Sequence, residues 1–299
     1  GLRHSPLSAA ARRSVLDLAL TPARTALEFW LERVDDLTDA CDGPRPEVRV
    51  IHNHHTFAPS PPIQPAMGAF TSESEAKDYR GPAGVARDAC DRYAPDATIL
   101  LVEGSRCMTG SLAGIVREHA ATGATVTVGC NPDMSPAGIY AVRRSAFDHV
   151  PGGGFMDLKE QWLSRLVAAK EDVRVHVFTD GASHPMRTLA QYLSAVRAVN
   201  PQLTGGEDPH ASIRSGNDSE SHFRPVVQRD ASIDPSAIVI DSVVMAGAVV
   251  GPGAVVARSL ICPDAVVHRD SEIVEGVVAG SAPMSAQRSD RKGKFWSSR

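Results

Sequence analysis

The sequence predicts two domains, a mixed α/β domain followed by a short parallel β-helix. Three observations carry this. Apolar residues recur about every six positions between Ile233 and Ile273. Apolar runs of strand length alternate with helix-patterned segments up to Val199. A chain of 299 residues exceeds one typical domain.

The period of six fits neither a helix nor simple strand alternation. It is the hexapeptide signature of a β-helix, in which each short strand forms one side of a triangular coil. Ile233, Val239, Val250, Val256, Val267 and Ile273 mark the register, with Val244 or Met245 and Ile261 between them. One repeat cannot bury its apolar residue alone, so the coils must stack, here about two to three of them.

In chain order, Gly1–Ala11 is a loop leading into helical text, and Ser14–Leu20 is short and apolar. Thr25–Leu37 places Leu27, Trp30, Leu31 and Val34 on one helix face. Gly43-Pro44-Arg45-Pro46 breaks the chain, and Val48–Ile51 reads as a strand before a Pro-rich loop. A helix is expected from Gly81 through Tyr93. Thr98–Val102 is continuously apolar, the pattern of a buried parallel strand. Helices then follow at Leu112–Ala121, Leu158–Ala169 and Leu189–Val199, with strands at Ala124–Val128, Gly138–Val142 and Val173–Phe178. This alternation implies a sheet layered with helices. The expected limits are residues 1–199 for the α/β domain, 200–224 for a polar linker, 225–280 for the β-helix and 281–299 for a polar tail in which Phe295 and Trp296 are docking points.

Net charge is −4 with scattered basic residues, which argues against a nucleic-acid surface. No apolar run approaches the ~20 residues that span a bilayer. Five cysteines without CxxC or metal-like spacing are expected to be reduced thiols in a cytoplasmic protein. The chain starts at Gly1 rather than Met, so a natural start upstream is expected, and no signal peptide is visible.

Six segments, in order, resemble the sugar-phosphate nucleotidyltransferases, the group that includes glucose-1-phosphate adenylyltransferases and mannose-1-phosphate guanylyltransferases. Val50–His55 resembles the family's V-N-x-H-Y. Gly81-Pro82-Ala83-Gly84-Val85 is similar to its G-T-A-G segment, and Ile99–Gly104 to the strand ending in N-G-D. His119–Val128 is similar to H-x-x-x-G-A-x-x-T, Ser135–Tyr140 to S-A-G-I-Y, and Phe155–Glu160 to F-x-D-x-K-E. The resemblance covers most of the chain. It implies a nucleotidyltransferase-like (Rossmann-like) α/β domain and a left-handed hand for the β-helix. It also implies that Gly81, Ala83 and Gly84 approach a nucleotide, and that Gly138, Asp157 and Lys159 meet a sugar phosphate. Gly1-Leu2-Arg3 stands where the family carries its glycine-rich triphosphate loop, so Gly1 would hold phosphate and Arg3 would steady departing pyrophosphate.

Three departures bear on catalysis. The reaction is attack of a sugar phosphate on the α-phosphorus of a nucleoside triphosphate, with Mg²⁺ held by two Asp residues. The first Asp position holds Ser105 and the second Pro185, leaving Glu103 as the nearest carboxylate and the candidate replacement. Between Val128 and Ser135 only GCNPDM remains, where the family carries a long excursion with a sugar-phosphate-binding Lys.

Other groups have plainer readings beside the functional one. His52, His54 and His55 read as loop residues at a strand end rather than metal ligands. His184 and Arg187 make either an anion site or simple helix-entry text. Asp157, Lys159 and Glu160 make either sugar contacts or a capped first turn of a helix. His268 on the β-helix raises an acyltransferase general base.

Three functions follow. One is nucleotide-sugar formation with Mg²⁺. The second is a non-catalytic homologue acting as a regulatory or assembly subunit that keeps a pocket for nucleoside triphosphate or sugar phosphate. The third, well behind, is an acyltransferase. The resemblance favours the first for ancestry, and the lost ligands favour the second for present activity. Homo-oligomerisation through the β-helix is expected, with no nucleic-acid or membrane partner.

Overall fold

The structure, a computed structural model, describes residues 5–41, 44–62, 70–203 and 223–280. Gly1, Arg3 and the tail aromatics Phe295 and Trp296 lie outside the described residues. The chain divides into two compact units that interleave along the sequence. One contains Ala26–His55 and Pro62–Arg187, and the other Ser5–Thr25, Thr56–Pro61 and the chain from Thr188 onward.

In chain order the elements before the wound region are α1 (Pro6–Ala11), β1 (Ala19–Thr21), β2 (Arg24–Thr25), α2 (Ala26–Cys41), β3 (Val48–His52), β4 (Phe70–Ser74) and α3 (Gly81–Cys90). Next come β5 (Thr98–Val102), β6 (Arg106–Met108), α4 (Ala113–Thr122), β7 (Val126–Cys130), β8 (Pro136–Arg143), α5 (Ser164–Ala168), β9 (Val173–Val177), β10 (Ser183–Pro185) and α6 (Leu189–Val199).

The first unit is built on a four-stranded mixed sheet in the order β5-β8-β7-β9. β8 runs antiparallel to both neighbours, and β7 and β9 run parallel. Val126, Tyr140 and Val142 point to one face and pack with α3, the turn at Arg144–His149 and the buried Trp162. Ile115 of α4 is buried, and α4 packs on β7, β8 and β9. Its His119 bonds Thr127 of β7 at 3.0 Å. β3 and β4 form a parallel pair, and β6 and β10 an antiparallel pair. The expected parallel, buried strand at Thr98–Val102 is corrected. β5 is an edge strand, antiparallel to β8 and half-buried over Ile99–Val102. An apolar run carries no information on strand direction, and at a sheet edge its residues stay half-exposed. The helix expected at Leu158–Ala169 begins as a π-helical turn, Leu158–Leu163, and continues as α5.

In the second unit Ser5 and Ser8 form a reciprocal capping box on α1. Thr188 caps α6 through the Gln191 amide. From the buried face of α6 the Tyr192 hydroxyl donates to the Ala19 carbonyl. Asn200 donates to the Leu20 carbonyl at 2.7 Å.

The wound region has ten strands: β11 (Val226–Val227), β12 (Ser232–Ile233), β13 (Ile238–Ile240), β14 (Val243–Val244), β15 (Val249–Val250), β16 (Val255–Ala257), β17 (Leu260–Ile261), β18 (Val266–Val267), β19 (Glu272–Val274) and β20 (Val277–Val278). They stack as three parallel sheets, β11-β14-β17-β20, β12-β15-β18 and β13-β16-β19. This is a β-helix-like architecture of three coils and one further strand. Its repeat is 17 residues, as the Ser242–Ser259 and Ser259–Gly276 bonds show. Two sides take six residues and the third takes five. The short corner turns through Asp241, Arg258 and Glu275, each at positive φ. There the buried Ser242 and Ser259 hydroxyls accept from the amide one coil on, at 3.0 Å each. The core register is Val239, Val244, Val250, Val256, Ile261 and Val267.

The expected limit at residue 199 is not where the contacts divide. Residues 5–25 and α6 belong with the wound region. The reason is apolar area. Val226, Val243 and Leu260 point outward from β11, β14 and β17 and are fully buried, and Leu7, Leu16, Leu18, Leu20 and Val196 are buried in the same unit. α1 contacts β20, β1 contacts β11, and α6 contacts β1. All five cysteines are unpaired. Among the described residues no helix is long and apolar enough to cross a membrane.

Candidate functional site

Two of the site candidates, Glu103 and Gly138, meet where β5 ends and β8 begins. Past Val102 the chain turns through Glu103, Gly104 and Ser105 into β6. The Glu103 amide donates to the Gly138 carbonyl at 2.9 Å, and the Glu103 carbonyl accepts from the Arg106 amide at 3.2 Å. The Ser105 hydroxyl donates to Glu103 Oε1 at 3.1 Å, so the two side chains meet.

Gly138 has φ +71, and a Cβ there would lie 2.7 Å from Arg106 Cδ and 3.1 Å from Glu103 Oε2. It forms the floor beneath both charged groups. Gly138→Ala is therefore expected to cost about 1–2 kcal/mol from left-handed backbone strain alone, before any displacement of Glu103 and Arg106. Urea denaturation against wild type checks this, and an unchanged midpoint would contradict it.

Arg106 is oriented by Ser183, with Nε donating to Oγ at 2.8 Å and Nη2 to the carbonyl at 2.9 Å. Ser183 donates from its hydroxyl to the Ala137 carbonyl at 2.6 Å and from its amide to Asn131 Oδ1 at 2.7 Å. The Trp30 indole donates to the Arg106 carbonyl at 2.8 Å. Tyr140 lies buried beside this group. Burial, and then the charges of Glu103 and Asp157, push its phenol up to about 12. The tyrosine thus keeps its proton at neutral pH. His184 is lowered by burial and then by Arg106, so it is held neutral.

The structure therefore sets Glu103 against Gly138, and the charges of Glu103 and Asp157 both act on the Tyr140 phenol. Asp157 also caps the π-helical turn, accepting from the amides of Lys159 at 2.7 Å and Glu160 at 3.1 Å. Lys159 is exposed beside it.

Gly81, Ala83 and Gly84 are engaged otherwise. Gly81 has φ +67, and a Cβ would lie 2.5 Å from the Met156 carbonyl oxygen. The buried Ala83 donates its amide to that same oxygen at 3.1 Å. Gly84 is buried under the Arg80 side chain, which grips Asp88 at 2.8 and 3.0 Å and also donates to the Gly154 and Pro151 carbonyls. These small residues let the Gly154–Met156 backbone cross the start of α3.

Ser105 and Pro185 meet across the β6–β10 pair. Pro185 is the register partner of Arg106, and the Met186 amide donates to the Ser105 carbonyl at 2.8 Å. Neither offers a carboxylate. Among the described residues no group of three His, Cys, Asp or Glu side chains is placed to hold a metal ion. His52 bonds the Asn53 carbonyl at 3.3 Å, and Asn53 Oδ1 accepts from the His55 amide at 2.8 Å. His54 and His55 are exposed.

Sequence reasoning missed Arg106, Asn131, Tyr140 and Ser183 as members of the site. Arg106 and Ser183 sit on β6 and β10, which have three residues each, too short for a period to register.

No protein-family model matches this chain, and no curated protein matches it.

Proposed function

We infer that the chain derives from the sugar-phosphate nucleotidyltransferases and serves as a non-catalytic subunit. In this reading it keeps a remnant site for a sugar phosphate or nucleoside triphosphate and acts in regulation or assembly. The observation that carries it is the meeting of Ser105 and Pro185. Two segments aligned with that family's two metal-binding Asp positions, about 80 residues apart in the chain, adjoin across the β6–β10 pair, as this ancestry would have them. The convergence supports the ancestry, and the residue types oppose the chemistry.

The residues do not fit a Mg²⁺ site. Mg²⁺ is held through carboxylates in near-octahedral geometry. Pro185 has no side-chain donor, and of the nearby carboxylates Glu103 already accepts from Ser105 and Asp157 from the Lys159 and Glu160 amides. We read the wound region as left-handed, the hand this ancestry implies, and the free buried thiols as those of a cytoplasmic protein.

The remaining chemistry suits recognition. Arg106 supplies a fixed positive charge, Tyr140 a protonated phenol, and Glu103 and Asp157 acceptors for sugar hydroxyls. Calorimetric titration with sugar 1-phosphates and nucleoside triphosphates tests the remnant site. Binding that weakens in Arg106→Gln is expected. No heat with any member of the panel would sink that reading.

A further inference from the structure

We propose that β9 is a self-association edge, through which two copies of the chain pair antiparallel along Val173–Val177 about a two-fold axis at Val175. Among the described residues β9 ends the four-stranded sheet and pairs with β7 alone. Its orientation follows from two bonds: the Val126 amide donates to the Asp172 carbonyl, and the Phe178 amide to the Cys130 carbonyl. Alternate residues of a strand direct their backbone groups to opposite edges. Residues 172, 174, 176 and 178 therefore address β7. The amides and carbonyls of Val173, Val175 and Val177 address the open side.

Such an edge is a template for another strand, and natural edges are guarded by charged side chains, above all Lys, or by Pro, bulges or a covering segment; the one charge of this strand, Arg174, is held by Asp172. The strand Val-Arg-Val-His-Val carries no Pro or Lys, and its pairing with β7 runs without a register shift. Val175 is 51% exposed at its centre.

The occupant is a second copy because the edge is complementary to itself. Antiparallel pairing about Val175 sets Val175 opposite Val175, Val173 opposite Val177 and Arg174 opposite His176. The three outward-directed residues then fall at hydrogen-bonding positions on both strands. The charges match as well. Arg174 is 46% exposed and is paired with Asp172, two residues away on the same surface at 3.0 Å, an exposed contact of small worth. His176 Nδ1 bonds Glu118 Oε2 at 2.5 Å, and the Glu118 side chain remains 39% exposed. The pairing brings each Arg174 guanidinium to the other copy's His176–Glu118 pair, twice by symmetry. An isologous contact of this kind closes on itself and consumes the open edge.

Sedimentation velocity of the full chain tests the proposal, with circular-dichroism melting to separate misfolding from dissociation. Wild type should sediment as a dimer at micromolar concentration. Val175→Lys sets two ammonium groups opposite each other on the axis and should give monomer with an unchanged melt. Arg174→Glu faces Glu118 and should also give monomer, and adding Glu118→Arg should restore the dimer. Val249→Lys with Val266→Lys, on the exposed side of the wound region, should leave the dimer intact. A monomeric wild type, a Val175→Lys dimer, or loss of the dimer in the Val249/Val266 variant instead would overturn the proposal.

Discussion

Trp162→Ala should lower the stability of the protein by about 3–5 kcal/mol, the range for deleting a large buried aromatic. Trp162 is fully buried and stacks on Phe147 with ring centroids 5.1 Å apart. Its indole donates to the Ala146 carbonyl at 3.1 Å. Truncation therefore opens a cavity, removes a ring contact and leaves a buried carbonyl unpaired. Trp162→Phe keeps most of the packing and loses the donor, so its cost should fall to about 1–3 kcal/mol. Urea denaturation followed by circular dichroism ranks the two. Equal, small effects would mean that the π-helical turn is not anchored by this side chain.

The second large effect is a pH dependence set by Asp17. It lies in the turn after α1, 8% exposed. Its carboxylate accepts from the Ser60 amide at 2.7 Å and the Ser60 hydroxyl at 3.2 Å. Burial raises its pKa from 3.8 to about 6, against the opposing pull of the Ser60 bonds and Arg13. Below the ordinary value both folded and unfolded chains hold the proton. Between 3.8 and about 6 the unfolded chain ionises first, so stability is lost as pH rises through that window. The full loss, complete somewhat above pH 6, amounts to about 3 kcal/mol. Asp17→Asn cannot ionise and still offers an oxygen to the Ser60 amide. The stability of Asp17→Asn relative to wild type should therefore grow by about 2.5 kcal/mol between pH 4 and pH 7. Paired urea titrations check it, and a difference constant with pH would contradict it.

The repeat shows what a sequence pattern can and cannot carry. Ile233, Val239, Val250, Val256, Val267 and Ile273 all join the wound core as expected. The choice between Val244 and Met245 stayed open because the spacing there is five, not six. Val244 points inward, while Met245 is buried on the outer side of the same sheet. The short corner depends on residues at positive φ, a backbone property that Asp241, Arg258 and Glu275 do not announce by type. The fate of residues 5–25 was not legible either. Their apolar character was plain, but its partner, the outer face of β11-β14-β17-β20, lies some two hundred residues away.

At the candidate site, Gly138, Glu103 and Asp157 were legible through motif resemblance. Arg106 and Ser183 depend on a three-residue strand pair and were not. Gly81 and Ala83 were legible as special, and the structure gives their smallness a packing cause, the crossing Met156 backbone.

Pyrophosphate release in the presence of Mg²⁺, across nucleoside triphosphates and sugar 1-phosphates, tests the central claim most directly. With Ser105 and Pro185 at the two converging positions, the full chain should stay at the no-enzyme background with every pair. Mg²⁺-dependent turnover with any one pair, abolished by Glu103→Gln, would contradict the non-catalytic reading and make Glu103 the rebuilt metal ligand.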